Sequence, residues 1–309
     1  MTVDVQPATV TACPACESST GTAAGGTAAG FDTWVEGRNF HQPAYAVLRC
    51  ETCALYYKSV TLAAETLAAY YALLDSTPFD TDANFPTDRL VQARLSMLPD
   101  GSDVLDFGCS TGRVLASQAR RLRCVGVEPN AAAAARAAER GIAITSERAL
   151  WQSDRMFDAI LLTDVYEHLA APVGLFERLA RRLRPGGWLV LVTGNADGVT
   201  GPTPLAEFWY FRLPGHLCMV SERHLTWLAG RVGLSLAAMH RCSHYDDAWH
   251  VGLRQRVQSF AYQAFRWNPR GPVARLLRCL PRLKNAEHWS SAPALTCGDD
   301  HVVAFFERV

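Results

Sequence analysis

The sequence predicts an α/β protein: a doubly wound, mainly parallel sheet of seven strands, with a small metal-organised unit in front and a helical insert before the last strand. Three observations carry this. A short apolar run at 103–107 breaks into a glycine turn, Gly108-Cys109-Ser110-Thr111-Gly112, that opens a helix. Further apolar runs at 124–127, 142–145, 157–163 and 188–193 alternate with helical stretches, the pattern of parallel strands joined by crossover helices. Two Cys-x-x-Cys pairs, Cys13/Cys16 and Cys50/Cys53, stand near the start.

The bulk properties narrow the classes. The 309 residues are 49% hydrophobic and 19% charged, as for a globular protein of one large domain with additions, or of two domains. The formal net charge is zero, which argues against a globally basic nucleic-acid binder. No apolar run reaches the length of a membrane span, and residues 1–13 lack the charged and apolar regions of a secretion signal. Ten cysteines in so long a chain do not read as a disulfide framework. Their pairing implies metal in a reducing compartment, so a cytoplasmic location is expected.

Residues 1–60 read as a zinc ribbon. Cys13, Cys16, Cys50 and Cys53 supply the tetrahedral sulfur set that Zn²⁺ prefers, and closing it stabilises a segment too small for its own core. Four cysteines leave no open position, so the zinc is structural and His41 a bystander. Residues 18–30, rich in Gly, Ala, Ser and Thr, read as a mobile loop, and 45–49 and 55–58 as short strands. Residues 61–99 form a helical lid, with helices expected over 62–74 and 86–98. Tyr70 and Tyr71 belong either to its core or to a substrate face.

The main sheet occupies 100–242. Gly108 and Gly112 bracket a turn where a side chain would keep backbone away from a ligand. Ser110 or Thr111 can cap the helix expected over 113–123, whose free N–H groups favour a polar or anionic group. After strand two, Glu128-Pro129 stands where nucleoside-binding α/β folds place an acid on a ribose diol. A helix over 130–140 is capped by Asn130. Strand four leads into Asp164-Val165-Tyr166-Glu167-His168, and a Pro185-Gly186-Gly187 turn delivers strand five. Strand six is expected at 234–240, and 301–309 supply strand seven.

Between them, 243–300 is a basic helical insert. From 248 to 286 there are seven arginines and one lysine, with no acid. Val257, Phe260, Ala261, Ala264 and Trp267, then Val273, Leu276, Leu277 and Leu280, recur at helical spacing. Such a pair suits peripheral contact with an anionic membrane, a cover that attracts an anionic substrate, or a solvated face over a core stripe.

The segment 106–112 resembles motif I of the class I S-adenosylmethionine-dependent methyltransferases: an acid, any residue, then Gly-x-Gly-x-Gly. Asp106, Gly108 and Gly112 match, and Ser110 replaces the middle glycine. Segments 157–160, 164–169 and 183–187 resemble the later motifs of small-molecule members. Pro214-Gly215-His216-Leu217 resembles a Pro-x-His-Leu segment that commonly reaches substrate. The resemblance covers roughly 100–240 and implies a Rossmann-like sheet with strand seven antiparallel. It implies S-adenosyl-L-methionine held by Asp106, Gly108, Cys109, Ser110, Gly112, Glu128, Pro129, Ser146, Glu147, Asp164 and Val165, with Ser146 and Glu147 at the adenine.

Methyl transfer needs a base only when the acceptor must lose a proton. His216 is expected in that role ahead of His168, with Tyr210 third; His224 reads as structural, and His244 and His250 as isolated. Ribbon plus core is similar to sugar C-methyltransferases and secondary-metabolite enzymes, which implies a small-molecule acceptor, anionic or carrier-linked, rather than nucleic acid. The layout also resembles ribosomal RNA guanine methyltransferases. A non-catalytic binding module is disfavoured because Asp106 and Glu128 are both present.

Overall fold

A computed structural model describes residues 7–74, 85–201, 203–246, 248–296 and 298–309. Residues 1–6 of the start, 75–84 of the lid, and single positions at 202, 247 and 297 lie outside the described residues.

The ribbon contributes β1 (Pro7–Thr9), β2 (Gly21–Ala28), β3 (Phe31–Val35), β4 (Arg38–Gln42), β5 (Tyr45–Cys50), β6 (Tyr56–Lys58) and β7 (Val60–Leu62). β5 and β6 are the two expected strands. The stretch expected as a loop is instead largely β2, paired antiparallel to β5. Its small residues allow close approach. A Cβ at Gly21 would lie 2.4 Å from the Tyr57 hydroxyl, and one at Gly25 would lie 2.6 Å from Val47 Cβ. A composition that looks like linker is here a packing requirement.

Two helices follow, α1 (Ala64–Leu73) and α2 (Pro86–Leu95), the second with proline in its first turn and Asp88 accepting from the Phe85 N–H. The core then alternates β8 (Asp103–Phe107), α3 (Arg113–Ala116), β9 (Arg123–Val127), α4 (Ala131–Glu139), β10 (Ala143–Thr145), α5 (Glu147–Gln152), β11 (Phe157–Thr163), α6 (Pro172–Ala180) and β12 (Leu183–Gly194). After these come β13 (Cys218–Met219), α7 (Glu222–Val232), β14 (Ser235–Cys242), α8 (Trp249–Trp267), α9 (Pro272–Arg278) and β15 (His301–Glu307). The large sheet runs β10-β9-β8-β11-β12-β15-β14, with β15 antiparallel to both neighbours. Strand order reverses between β8 and β11, which opens a crevice at their carboxyl ends. β8 is buried on both faces, as a parallel strand between helix layers must be. α3 is one turn, shorter than expected; past its end, Arg121 reaches the carbonyls of Leu95 and Leu98.

The ribbon joins this core directly. β13 pairs with β6, and one hydrophobic cluster runs from Cys13, Cys50, Leu55 and Tyr57 into Leu105, Ile160 and Leu191. The insert is more self-contained: Ala261, Ala264, Phe265, Ala274, Leu277 and Ala286 form their own cluster. Val257, Phe260 and Trp267, expected on that stripe, are exposed. Among the described residues no helix is long and apolar enough to cross a membrane.

Candidate functional site

β8 delivers Asp106 to its tip at 2% exposure, with Oδ1 lacking a hydrogen-bond partner. Burial, reinforced by the charge of Glu128, pushes this carboxyl up to about 7. Glu128, just past β9, braces the turn: Oε2 accepts from the Ser110 N–H (2.9 Å) and Oε1 from the Asn130 N–H (2.8 Å). Each oxygen retains a further lone pair. Pro129 is exposed beside it.

The glycines are sterically required. At Gly108 (φ +84°) a Cβ would lie 2.4 Å from Val165 Cγ2, and at Gly112 (φ +77°) 2.3 Å from Ile142 Cδ1. Ser110 adopts φ +47°, so the position keeps the backbone of the glycine it replaces, at a cost of about 1 kcal/mol. Neither Ser110 nor Thr111 caps α3, contrary to expectation. Gly112 is the N-cap, and Thr111 Oγ1 accepts from Arg140 (2.9 Å). The Cys109 thiol packs on Gly126, where a Cβ would be 2.5 Å from its Sγ. Ser146 caps α5 by accepting from the Ala149 N–H (3.1 Å), and Glu147 accepts from Trp151 Nε1 (2.8 Å).

Beyond the tip of β11 lies a second set of groups. Buried Glu167 accepts from the Tyr210 hydroxyl (2.6 Å) and from Thr193 Oγ1 (2.9 Å), and the Tyr210 oxygen accepts from the Gly194 N–H (2.8 Å). His168 Nδ1 sits 3.0 Å from the Gly215 carbonyl and 2.9 Å from the Tyr71 hydroxyl. A carbonyl only accepts, so Nδ1 carries the proton and Nε2 keeps its lone pair. His216 stands 4.7 Å from His168 and 4.0 Å from Tyr210, ring to ring, with Nδ1 unpartnered. Burial first, then the charges of His168 and Lys58, hold its pKa well below the usual value, so it is neutral. Burial and Glu167 push the Tyr210 phenol well above its usual range, which makes it a positioning group. Tyr70 and Tyr71 divide: Tyr70 packs edge-on to Phe40 in the core, and Tyr71 reaches the site.

His244, which looked isolated, lies 4.6 Å from His301 and 4.7 Å from Phe85, ring to ring, and both histidines adjoin Asp164. His301, Asp300 and Glu167 escaped the sequence reading. The available signal was the polar pair Asp300-His301 opening an apolar strand. Only the pairing of β15 with β12, which sets His301 opposite Gly194, brings it to the site.

Far from these tips, the cysteine sulfurs approach to 3.5 Å (Cys13–Cys53) and 3.4 Å (Cys16–Cys50), and all four lie within 4.8 Å of one another. That is too long for disulfides, at about 2.05 Å, and near the edge of a zinc–sulfur tetrahedron, about 3.8 Å. The donor set therefore fits zinc. His224 links this knuckle to the core, donating from Nδ1 to the Cys53 carbonyl (3.1 Å) and accepting at Nε2 from the Tyr166 hydroxyl (2.8 Å). Burial pushes its pKa down to about 4.

An acid and glycine turn after one strand, a second acid after the next, and strand reversal beside them define a nucleoside-binding domain of the class I methyltransferase type. A family profile described as a methyltransferase domain matches residues 83–238. An uncharacterized methyltransferase of Mycobacterium sp. (strain JLS) is 38% identical over 201 residues, 55% of this chain and 78% of that protein. The ubiquinone biosynthesis O-methyltransferase of Aeromonas salmonicida (strain A449) is 28% identical over 149 residues, 43% of this chain and 63% of that one, so less than two thirds of its length is spanned. A solved S-adenosylmethionine-dependent methyltransferase from Geobacter sulfurreducens, in complex with S-adenosyl-L-homocysteine, superposes with TM-score 0.44 at 17% identity over 74% of this chain and 91% of that one. The chain belongs to the S-adenosylmethionine-dependent class I methyltransferase family.

Proposed function

We propose that the protein transfers a methyl group from S-adenosyl-L-methionine to a small-molecule acceptor, with His168 taking the proton of an acceptor that must lose one. The observation that carries this is the placement of Asp106 and Glu128 at adjoining strand tips across a turn whose Gly108 and Gly112 admit no side chain. The bound cofactor supplies an activated methyl group on a sulfonium, so the protein's task is alignment. Glu128, oriented by two backbone N–H groups, holds the ribose diol on its remaining lone pairs. Asp106 offers its unpartnered Oδ1 to a cationic amino group. Cys109, Ser110, Gly112 and Pro129 bring backbone close, Val165 lines the turn, and Ser146 and Glu147 border the base. Glu128→Ala is expected to weaken cofactor binding at least tenfold in calorimetry, roughly the loss of one charged hydrogen-bonding group. Unchanged affinity removes Glu128 from the site.

On the ground of burial, His168 stands ahead of His216 in this reading, the opposite of the order expected from sequence. Charging His216 in its enclosed position is costly, whereas His168 is half-buried. The Glu167 carboxylate lies within 4.8 Å of both. With an acceptor found to support turnover in a panel of small hydroxylated compounds, His168→Ala should lower kcat roughly 10²-fold or more. A larger loss in His216→Ala at equal cofactor affinity restores His216.

Two further assignments belong to this reading. Cys13, Cys16, Cys50 and Cys53 hold one structural zinc, which elemental analysis checks. The insert docks on an anionic membrane surface. Among the described residues, most of the exposed large apolar side chains lie there, including Trp249 (80%), Trp267 (66%) and Leu276 (65%), among arginines with no acid from 248 to 286. A second copy of that face would meet like charge. Binding to vesicles containing phosphatidylglycerol but not to pure phosphatidylcholine supports the assignment; equal or absent binding to both overturns it. Such docking suits an acceptor that is carrier-linked or held at a membrane.

A further inference from the structure

We propose that Asp164, His244 and His301 form a second metal site, separate from the cysteines, for one divalent first-row transition cation. The three residues follow β11, follow β14 and open β15, and their ligand atoms lie within 4.8 Å of one another. Two imidazoles and one carboxylate suit Fe²⁺, Co²⁺, Ni²⁺ or Zn²⁺ better than Mg²⁺ or Ca²⁺, which take oxygen.

Two independent observations point to a ligand. His244 is only 9% exposed, and its Nδ1 has no hydrogen-bond partner. Behind the cluster, Asp300 Oδ1 accepts from the backbone N–H of His244 (3.2 Å) and lies 3.2 Å from His301 Nδ1. A carboxylate at Nδ1 keeps the proton there and turns Nε2 into the donor atom, the arrangement that orients metal-binding histidines. Asp300 thus ties together both histidine-bearing segments. The rings are walled by Phe85 against His244 and by Trp209, stacked at 6.2 Å on His301. The neighbouring Arg113 is paired with Asp88, which balances its charge.

Glu167, His168 and His216 cluster as tightly, and His216 Nδ1 is unpartnered there too, but both Glu167 oxygens already accept hydroxyls and His168 Nδ1 is bonded, so that set offers an ion fewer free ligand atoms. At Asp164, His244 and His301, a cation would polarise an oxygen-bearing acceptor and lower the pKa of its hydroxyl. That consequence rests on the methyl-transfer reading; the site itself does not.

The test is titration of the purified protein, its cysteine site filled with zinc, with Co²⁺ alone, followed by absorption and calorimetry. One Co²⁺ per chain is expected, with ligand-field bands of nitrogen and oxygen donors and no thiolate charge-transfer band. His244→Ala and Asp164→Asn should each weaken binding at least tenfold, and Asp300→Asn by roughly 10–100-fold. Melting temperatures of the metal-free variants show whether each still folds. No cobalt beyond the cysteine site, thiolate bands alone, or affinity unchanged in both His244→Ala and Asp164→Asn overturns the site. Cobalt binding without any S-adenosyl-L-methionine binding leaves the site standing and sinks the methyl-transfer reading.

Discussion

The ribbon and the basic insert are both additions to one sheet, and they are attached in opposite ways. The ribbon shares a strand pairing with the core through β6 and β13, a hydrophobic cluster, and a buried chain from Cys53 through His224 to Tyr166, beside Glu167. The helices of the insert, α8 and α9, form a cluster of their own and leave Trp249, Trp267 and Leu276 in water, while its ends reach the rest of the molecule through Leu295, His244 and Asp300. A segment too small for a core becomes rigid by taking cross-links and borrowing its neighbour's core. A segment with enough apolar residues for a small cluster can hold the rest of its apolar surface for something else. The ribbon is therefore part of the site's scaffold, whereas α8 and α9 lie against it only weakly.

The largest expected effect falls on the ribbon. Cys50→Ser, or chelation of the metal, should remove more than about 5 kcal/mol and disturb the core as well as the ribbon. Thermal unfolding with zinc analysis checks this, and a ribbon that melts alone while the core stays folded breaks the comparison.

Next comes pH. His224 is held at about 4 when folded, against an ordinary value of 6.5, so the unfolded chain binds the extra proton between those limits. The stability it contributes is present above pH 6.5 and is lost as pH falls through 4, about 3 kcal/mol in all. Urea unfolding at several pH values should show that loss, with a shallower acid slope in His224→Gln. Asp106 opposes it, because its raised value makes stability fall as pH rises from about 4 to about 7.

Ser110→Gly, which relieves a left-handed backbone in the shared core, should stabilise by roughly 1 kcal/mol or less; destabilisation would mean the hydroxyl has a partner that matters. The smallest effect belongs to the insert. Leu276→Glu should change stability by less than about 0.5 kcal/mol while vesicle binding drops severalfold. A large stability loss there would show that its exposed face is already packed.

Legibility followed the range of the interaction. The glycine turn, Glu128, the cysteine pairs and the Asn130 cap are set by residues within a few positions of one another, and each stands where the pattern placed it. The composition of β2 is ambiguous because glycine marks both mobility and close approach, and only Tyr57 and Val47 tell which. The insert's apolar repeat identified two helices but not that Ala261 and Ala264 face inward while Phe260 and Trp267 face out. The order of His168 and His216 depends on burial and on a carbonyl from Gly215, neither of which has a sequence signature.

By itself the chain determined its strand–helix alternation, its nucleoside-type turn and its four-thiol set, because backbone sterics, local capping and ligand spacing act over a few residues. The tertiary structure alone decided that Asp164, His244 and His301 meet, that His224 joins the ribbon to the core, and how deeply His168 and His216 are each buried. Those depend on strand order and desolvation, which appear only when segments distant in sequence share a buried surface.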